Sequence, residues 1–559
     1  MRRALLVAAL ACIAVPAGAK PMTLASKLLR DPKKLGANAH VTVRNDDGTV
    51  KHPPTAEDDT AASIQKLLRG PLRRGVTGLY VVDARSGDPL FSVNADDALN
   101  PASNVKMIST ATVLELLGPE FRYPTRLLGP LPEAGIVHGN VYLLGSYDPT
   151  LAVGDLDDLA IALQKRGVTA IQGSVVIGTD PTRDGIFRAV VPVEIESGEP
   201  GQPPIATVPD GFDLVTVKVT ATTSKRVQRP RLTFKTEATK TESGQPRITL
   251  TIGGTIGKAD HYEYPLWTRE RAATSAYALI AALKAHAISV DAEYRVMELG
   301  DFVGDSVATG ALPIELGRHQ SAAVADIIAH VNKWSINWLA DRLVMTAAAL
   351  VNRQPPSMEG AVDAMYGWLA RHPHLDKDGL TIDTGSGLSY KTQITPHELV
   401  AIVRSAGGYV PDTDPDVARA WLHSLSVGGT DGTLQHRFMS AELRGRVLGK
   451  TGTLSNAIAL SGILDVDPQR PLAFALVTNA DSPLSKPFVR KAHEAVIAEI
   501  CKYLAKTATP KFGAPSPPSA TETPQPAPPP PTLVPVEDVD EPQPDKALDA
   551  ETSGTPTAP

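Results

Sequence analysis

Apolar and polar positions recur along this chain with two different periods, and the period changes with position. Over 57–69, Ala61, Ile64, Leu67 and Leu68 fall at helical spacing and Gly70-Pro71 stops the pattern, which predicts an amphipathic helix. Residues 78–83 and 90–94 are short β-branched and aromatic runs joined through Ser86-Gly87 and predict two strands. Residues 105–117, with Met107, Ile108, Ala111, Val113, Leu114, Leu116 and Leu117, predict a helix buried on most sides and closed by Gly118-Pro119. From 125 to 300 short β-type runs dominate, at 141–144, 174–177, 214–219, 231–234 and 248–252. Helical periods return at 324–349, 358–372, 396–405 and 415–426, followed by strands at 457–465 and 472–478 and a helix at 486–504. Strands at both ends of the body with helices between them predict an α/β fold. It is an α/β/α sandwich built from both ends of the chain and interrupted by inserted β-rich domains.

The two ends read differently from this body. Arg2 and Arg3 precede an apolar run from Ala4 to Val15, and Ala17-Gly18-Ala19 is an A-x-A site, so residues 1–19 read as a signal peptide cleaved after Ala19. The alternative is a lipoprotein signal using Cys12, which the preceding Ala9-Leu10-Ala11 fits poorly. Export to the periplasm or cell envelope is therefore expected. No later apolar run reaches the length of a transmembrane helix. Loss of Cys12 leaves Cys501 as the sole thiol, so packing must hold the fold without an internal disulfide.

Residues 510–559 hold fifteen of the 48 prolines, eight acids, two lysines and the single aromatic Phe512. That composition predicts a disordered Pro-rich acidic tail, a spacer rather than a folded unit. The chain's net charge of −6 equals the charge of this tail, and the body from 20 to 509 carries only −2. With 116 charged side chains so nearly balanced, nucleic acid is not an expected partner.

Three motifs carry candidate chemistry, in chain order. Ser103-Asn104-Val105-Lys106 opens the buried helix, where a serine and a lysine three apart share one face. A desolvated lysine can lose its proton near neutral pH and act as base for that serine. Ser335-Ile336-Asn337 offers a hydroxyl to relay a proton and an amide to hold a substrate carbonyl. Lys450-Thr451-Gly452-Thr453 offers a cation and two hydroxyls, on an edge strand, to a substrate carboxylate, with Gly452 permitting close approach of a substrate backbone. The backbone N–H groups of Ser103 and Thr453 are the expected oxyanion hole.

Each motif alone is weak. Ser63-Ile64-Gln65-Lys66 repeats the first spacing and Ser92-Val93-Asn94 the second, but one lies on an ordinary amphipathic helix and the other out of order. His397-Glu398 lacks the second histidine of a zincin, His372-Pro373-His374 reads as a helix end, and no set of thiols could hold zinc. Neither a metal nor a cofactor is expected.

The ordered triple is that of serine β-lactamases and penicillin-binding proteins. With Gly145-Ser-Tyr-Asp-Pro-Thr-Leu151, Asp383-Thr-Gly-Ser-Gly-Leu-Ser389, Gly429-Thr-Asp-Gly-Thr-Leu434 and Leu460-Ser-Gly462, the chain resembles the low-molecular-mass class C penicillin-binding proteins, which are D-alanyl-D-alanine carboxypeptidases and endopeptidases. The separation of 232 positions from Ser103 to Ser335 matches that family's insertion better than a class A β-lactamase. The resemblance implies a discontinuous transpeptidase-like, serine β-lactamase-like catalytic domain at 57–124 and 301–505. It follows an N-terminal segment at 20–56 and is interrupted by an insert at 125–300 with a further domain nested near 213–258. It implies peptidoglycan stem peptides as substrate and β-lactams as inhibitors, and it sets no oligomeric state. It also implies that Ser103 attacks the penultimate D-alanine carbonyl with Lys106 as base. Ser335 and Asn337 would assist, and Lys450, Thr451 and Thr453 would bind the terminal carboxylate. Two departures concern the peptide side chain: Tyr390 stands where the family often has arginine, and the insert's aspartate is either Asp180 or Asp184. A β-lactamase, or a weakly catalytic cell-wall scaffold acting through insert and tail, are the competing readings.

Overall fold

The computed structural model describes residues 55–179, 191–209, 214–225, 231–240, 246–257, 261–266, 268, 271–292, 294–298, 313–375, 380–411 and 413–507. The expected signal peptide, Asp180, Asp184 and the tail from 510 lie outside them.

A six-stranded antiparallel sheet is drawn from both ends of the chain. Its strands are β1 (Val76–Asp83), β2 (Pro89–Val93), β3 (Ser426–Val427), β4 (Val447–Thr453), β5 (Ala457–Leu464) and β6 (Leu472–Asn479), in the order β3-β4-β5-β6-β1-β2. β1 pairs with β6 from Val76↔Asn479 to Asp83↔Leu472. β5 is buried at every position, which fits a strand covered on both faces.

The helices are α1 (Thr55–Arg69), α2 (Lys106–Leu117), α3 (Asp157–Lys165), α4 (Arg271–Ala285), α5 (Val324–Trp334), α6 (Asn337–Asn352), α7 (Met358–Arg371), α8 (Pro396–Ala406), α9 (Pro415–Ser424) and α10 (Lys486–Thr507). α1 and α10 cover one face. There Ile458 of β5 packs with Leu72, Val489 and Ala492, and Phe91 meets Tyr503 edge-on at 5.3 Å. The other face carries the larger core, where α2 is enclosed by α5 to α9. The α2 residues from Lys106 to Leu114 are all buried, and Trp421 Nε1 donates to Met107 O at 3.0 Å. This is the α/β/α sandwich that the sequence predicts. Among the described residues, no helix is long and apolar enough to cross a membrane.

The chain leaves this body along strand Pro124–Gly129 and returns along strand Ile314–Gln320, and the two pair antiparallel. They form one side of a five-stranded sheet with Val141–Leu144, Val175–Thr179 and Arg295–Glu298. A second apolar core lies there, and it contains two helices absent from the sequence prediction, α3 and α4. Their apolar positions do recur at helical spacing (Leu156, Leu159, Ala160, Leu163), but α4 is alanine-rich and gives little contrast between faces.

Two further differences bear on function. The single helix predicted for 324–349 is broken into α5 and α6 at Ser335, which is left-handed (φ 58°, ψ 41°). No glycine or proline marks the break. Tertiary contacts hold it, because Lys333 Nζ donates to Leu425 O (2.9 Å) and Asp431 Oδ2 (2.7 Å) and so pins the end of α5. Secondly, the Lys-Thr-Gly segment is a strand in its own right, β4, and not the sheet's outermost strand. β3 lies outside it and pairs with Leu448 and Gly449, so among the described residues the edge is open from Lys450 onward.

Candidate active site

Ser103 lies in a 3₁₀ turn, Ala102–Val105, which feeds α2 and places the serine one turn ahead of the α-helix proper. Ala102 is held at φ 48°, a strained value for a residue with a side chain. The turn is fixed from two sides: Asn100 Oδ1 accepts from Ala102 N at 2.8 Å, and Asn104 Nδ2 donates to Ser461 Oγ of β5 at 2.8 Å. Ser103 remains partly exposed while Lys106 is fully buried, so the nucleophile is reachable and its partner amine is dry.

Lys106 Nζ lies 3.1 Å from Ser103 Oγ, 2.7 Å from Asn337 Oδ1 and 2.7 Å from Ser386 O. A neutral amine has two N–H bonds and one lone pair. The amide and backbone oxygens can only accept, so they take the two N–H bonds. Ser103 Oγ–H is the neighbour able to donate to the lone pair. The same seat therefore satisfies an unprotonated Lys106 facing the serine.

The helix break brings in the second motif. Ser335 sits at the break and Asn337 is the first residue of α6, and Lys450 Nζ donates to Ser335 Oγ at 2.8 Å and to Thr451 O at 2.9 Å. Burial, and then the charge of Lys106, hold the Lys450 amine well below its ordinary range. Two buried amines, Lys106 and Lys450, thus stand on either side of the second motif. Ser103, Lys106, Ser335, Asn337 and Lys450 are brought together.

The direction of the Thr453 N–H follows from the strand ladder. Leu454 N–H bonds to Ala457 O, so by antiparallel alternation Thr453 N–H points away from β5, toward the open edge. Ser103 N–H lies one residue before the first bond of its 3₁₀ turn, Asn104 N–H to Pro101 O. Gly452 has a different neighbour from the substrate backbone expected there. A Cβ at 452 would lie 2.3 Å from Pro101 O, so the glycine lets the nucleophile turn itself seat against β4.

Several contributing residues carry no role in the sequence reading. Ser386 presents its carbonyl to Lys106 while its N–H bonds to Asp341 Oδ1 at 2.7 Å. Burial pushes the Asp341 carboxyl up, and the Lys106 charge opposes this. Gly387 (φ +75°) brings the same loop onto the turn, since a Cβ there would meet Ala102 O at 2.2 Å. Asp341 stands four residues after Asn337 on α6, a helical spacing that could have flagged it. Asp341→Ala leaves a buried N–H without its acceptor and is expected to cost about 1–3 kcal/mol of stability, measured by urea unfolding. Thr433 is the other addition: Thr451 Oγ1 donates to its Oγ1 at 2.9 Å.

The decoys stay outside. Lys66 is exposed on α1, and Ser92 lies on β2 at the far edge of the sheet. His372 pairs with Glu115 at 2.6 Å, and Glu398 closes a capping box with Thr395. Among the described residues no cluster of His, Cys, Asp and Glu could hold a metal, and Cys501 is a buried free thiol. Tyr390, 61% exposed, places its hydroxyl 2.9 Å from Ser455 Oγ, just past β4.

Comparison with known proteins bears on this geometry. Over 469 residues the chain is 28% identical to a D-alanyl-D-alanine carboxypeptidase of Actinomadura sp. (strain R39), covering 78% of this chain and 84% of that one. It is 26% identical over 459 residues to a carboxypeptidase of Mycobacterium tuberculosis, again covering 78% and 84%. The fold matches penicillin binding protein 4 of Haemophilus influenzae, solved with a β-lactam, with a TM-score of 0.58 and 19% identity over 78% of this chain and 99% of that chain. The model of the D-Ala-D-Ala carboxypeptidase 3 (S13) family matches residues 60–500. With four-fifths of its length matched, the chain belongs to that family of serine peptidases.

Proposed function

We propose that this protein is an exported serine-type D-Ala-D-Ala carboxypeptidase that acts on peptidoglycan stem peptides through an acyl-enzyme on Ser103. The observation that supports it most is the Ser103–Lys106–Asn337 seat, a reachable hydroxyl 3.1 Å from a fully buried amine. In this reading Ser103 Oγ attacks the carbonyl of the penultimate D-alanine and gives its proton to Lys106 Nζ. The N–H groups of Ser103 and Thr453 hold the oxyanion. Ser335, bonded to Lys450, relays the proton held by Lys106 to the departing amine, and the terminal D-alanine leaves. Water then attacks the acyl-enzyme and restores Ser103. An endopeptidase runs the same cycle with the cross-linked amine of a neighbouring stem peptide as leaving group.

The finer assignments belong to the same reading. The catalytic unit is 57–124 with 301–505, the insert is 125–300, residues 1–19 direct export to the periplasm or cell envelope, and the tail is a spacer. A β-lactam mimics the D-Ala-D-Ala end and acylates the same serine.

The test is labelling of the mature protein with a fluorescent penicillin, alongside Ser103→Ala. A stable adduct on the parent and none on the variant is the expected result. Rapid drug turnover would make the protein a β-lactamase. Absence of any adduct would leave only the scaffold reading.

A further inference from the structure

The C-terminal helix reaches the site through one side chain that no motif contains. Arg490 of α10 donates from Nη2 to Thr453 Oγ1 at 3.1 Å. Ile458, the cross-strand partner of Thr453, packs under Val489 and Ala492, so the α10 face of the sheet is the face on which Thr453 lies. Among the described residues Arg490 has no carboxylate partner. The nearby acid, Glu494, is taken by Arg437 at 2.6 Å, and Arg437 Nη2 in turn donates to Arg490 O.

The chemistry of a hydroxyl gives this contact a direction. A threonine hydroxyl has one proton to donate, and arginine can only donate. With Arg490 filling an acceptor position on Thr453 Oγ1, the Thr453 proton is left to point elsewhere. Thr451 is the opposite case, because its hydroxyl donates to Thr433 Oγ1 and is already spent within the protein. The two threonines of β4 are therefore unequal, and Thr453 is the one set up as a donor to an anion.

We propose that Arg490 is a positioning residue of this site, fixing the Thr453 hydroxyl as hydrogen-bond donor to the terminal carboxylate of the peptide substrate and placing a permanent positive charge behind it. The inference rests on the carboxypeptidase reading and adds to it a residue from outside the three motifs.

The test compares a peptide ending in D-Ala-D-Ala with the same peptide ending in D-alaninamide, on the full chain. Arg490→Met is expected to raise KM for the carboxylate peptide about 10–100-fold, the size of a lost charge-assisted contact, with kcat changed far less. The amide peptide should lose no more than about threefold. Arg490→Lys, which keeps the charge, should recover part of the loss. Adding Thr453→Val to Arg490→Met should cost little more, because the two act as one unit. Equal losses on both peptides, or full activity in Arg490→Met, would overturn the inference while penicillin labelling of Ser103 leaves the function intact. A parent protein that never acylates would overturn both.

Discussion

Replacing Lys106 with methionine is expected to slow acylation of Ser103 by about 10²–10⁴-fold, the usual worth of a positioned general base. The substitution keeps most of the side-chain volume in a fully buried slot, so packing around α2 survives. What disappears is an amine 3.1 Å from Ser103 Oγ that is able to take its proton. Asn337 Oδ1 and Ser386 O lose a donor each, which costs stability, but removing a buried amine also removes its desolvation penalty, so the urea midpoint should move little. Stopped-flow labelling with a fluorescent penicillin measures the rate. A variant acylating within about threefold of the parent would take the base role away from Lys106. Lys450→Met should behave differently. Its amine donates to Ser335 Oγ and Thr451 O, so its loss should raise KM for peptides and leave more of the acylation rate.

The contrast between these two lysines was legible in the sequence only in part. Ser103 and Lys106 announce themselves because a three-residue step on a helix leaves two side chains on one face, a purely local relation. Ser335 and Lys450 are readable as motifs, yet the geometry joining them comes from a left-handed residue in the middle of an apolar helical run. Nothing in that run predicts the break, which is held by Asp431 acting on Lys333 from nearly a hundred residues away. Ser386, Asp341, Thr433 and Arg490 act through contacts of the same long-range kind. The sandwich was legible because β5 and β6 are apolar at most positions, and β1 and β2 form a short two-strand pattern at the other end of the body. Of the two insert helices, α4 was missed because an alanine-rich helix stands out less than β-branched runs, and α3 because its nine residues lie among such runs.

The same long-range packing sets how the protein responds to acid. His493 lies fully buried on α10, its Nε2 2.8 Å from Thr478 Oγ1, which is itself 2.9 Å from Thr77 Oγ1. Among the described residues its Nδ1 is buried without a hydrogen-bond partner. Burial, and then the charge of Arg437, hold the ring down at about 3 against an ordinary 6.5. The folded chain therefore keeps His493 neutral where the unfolded chain protonates it. Stability from this group is complete above pH 6.5 and drains away as pH falls toward 3. At pH 4 the loss should approach about 3 kcal/mol. Asp148 works the other way: burial pushes its carboxyl up to about 6, so the folded state takes a proton first and gains stability as pH falls below that point. The parent profile mixes the two, and the measurement that separates them is the difference between parent and His493→Gln in urea unfolding from pH 7.5 to 4. The glutamine has no proton to gain, so the variant should lose less stability on acidification than the parent, whatever its stability at pH 7.5. Parallel profiles would mean that His493 is charged in the folded protein, and that the chain of hydroxyls from α10 to β1 does not depend on a neutral ring.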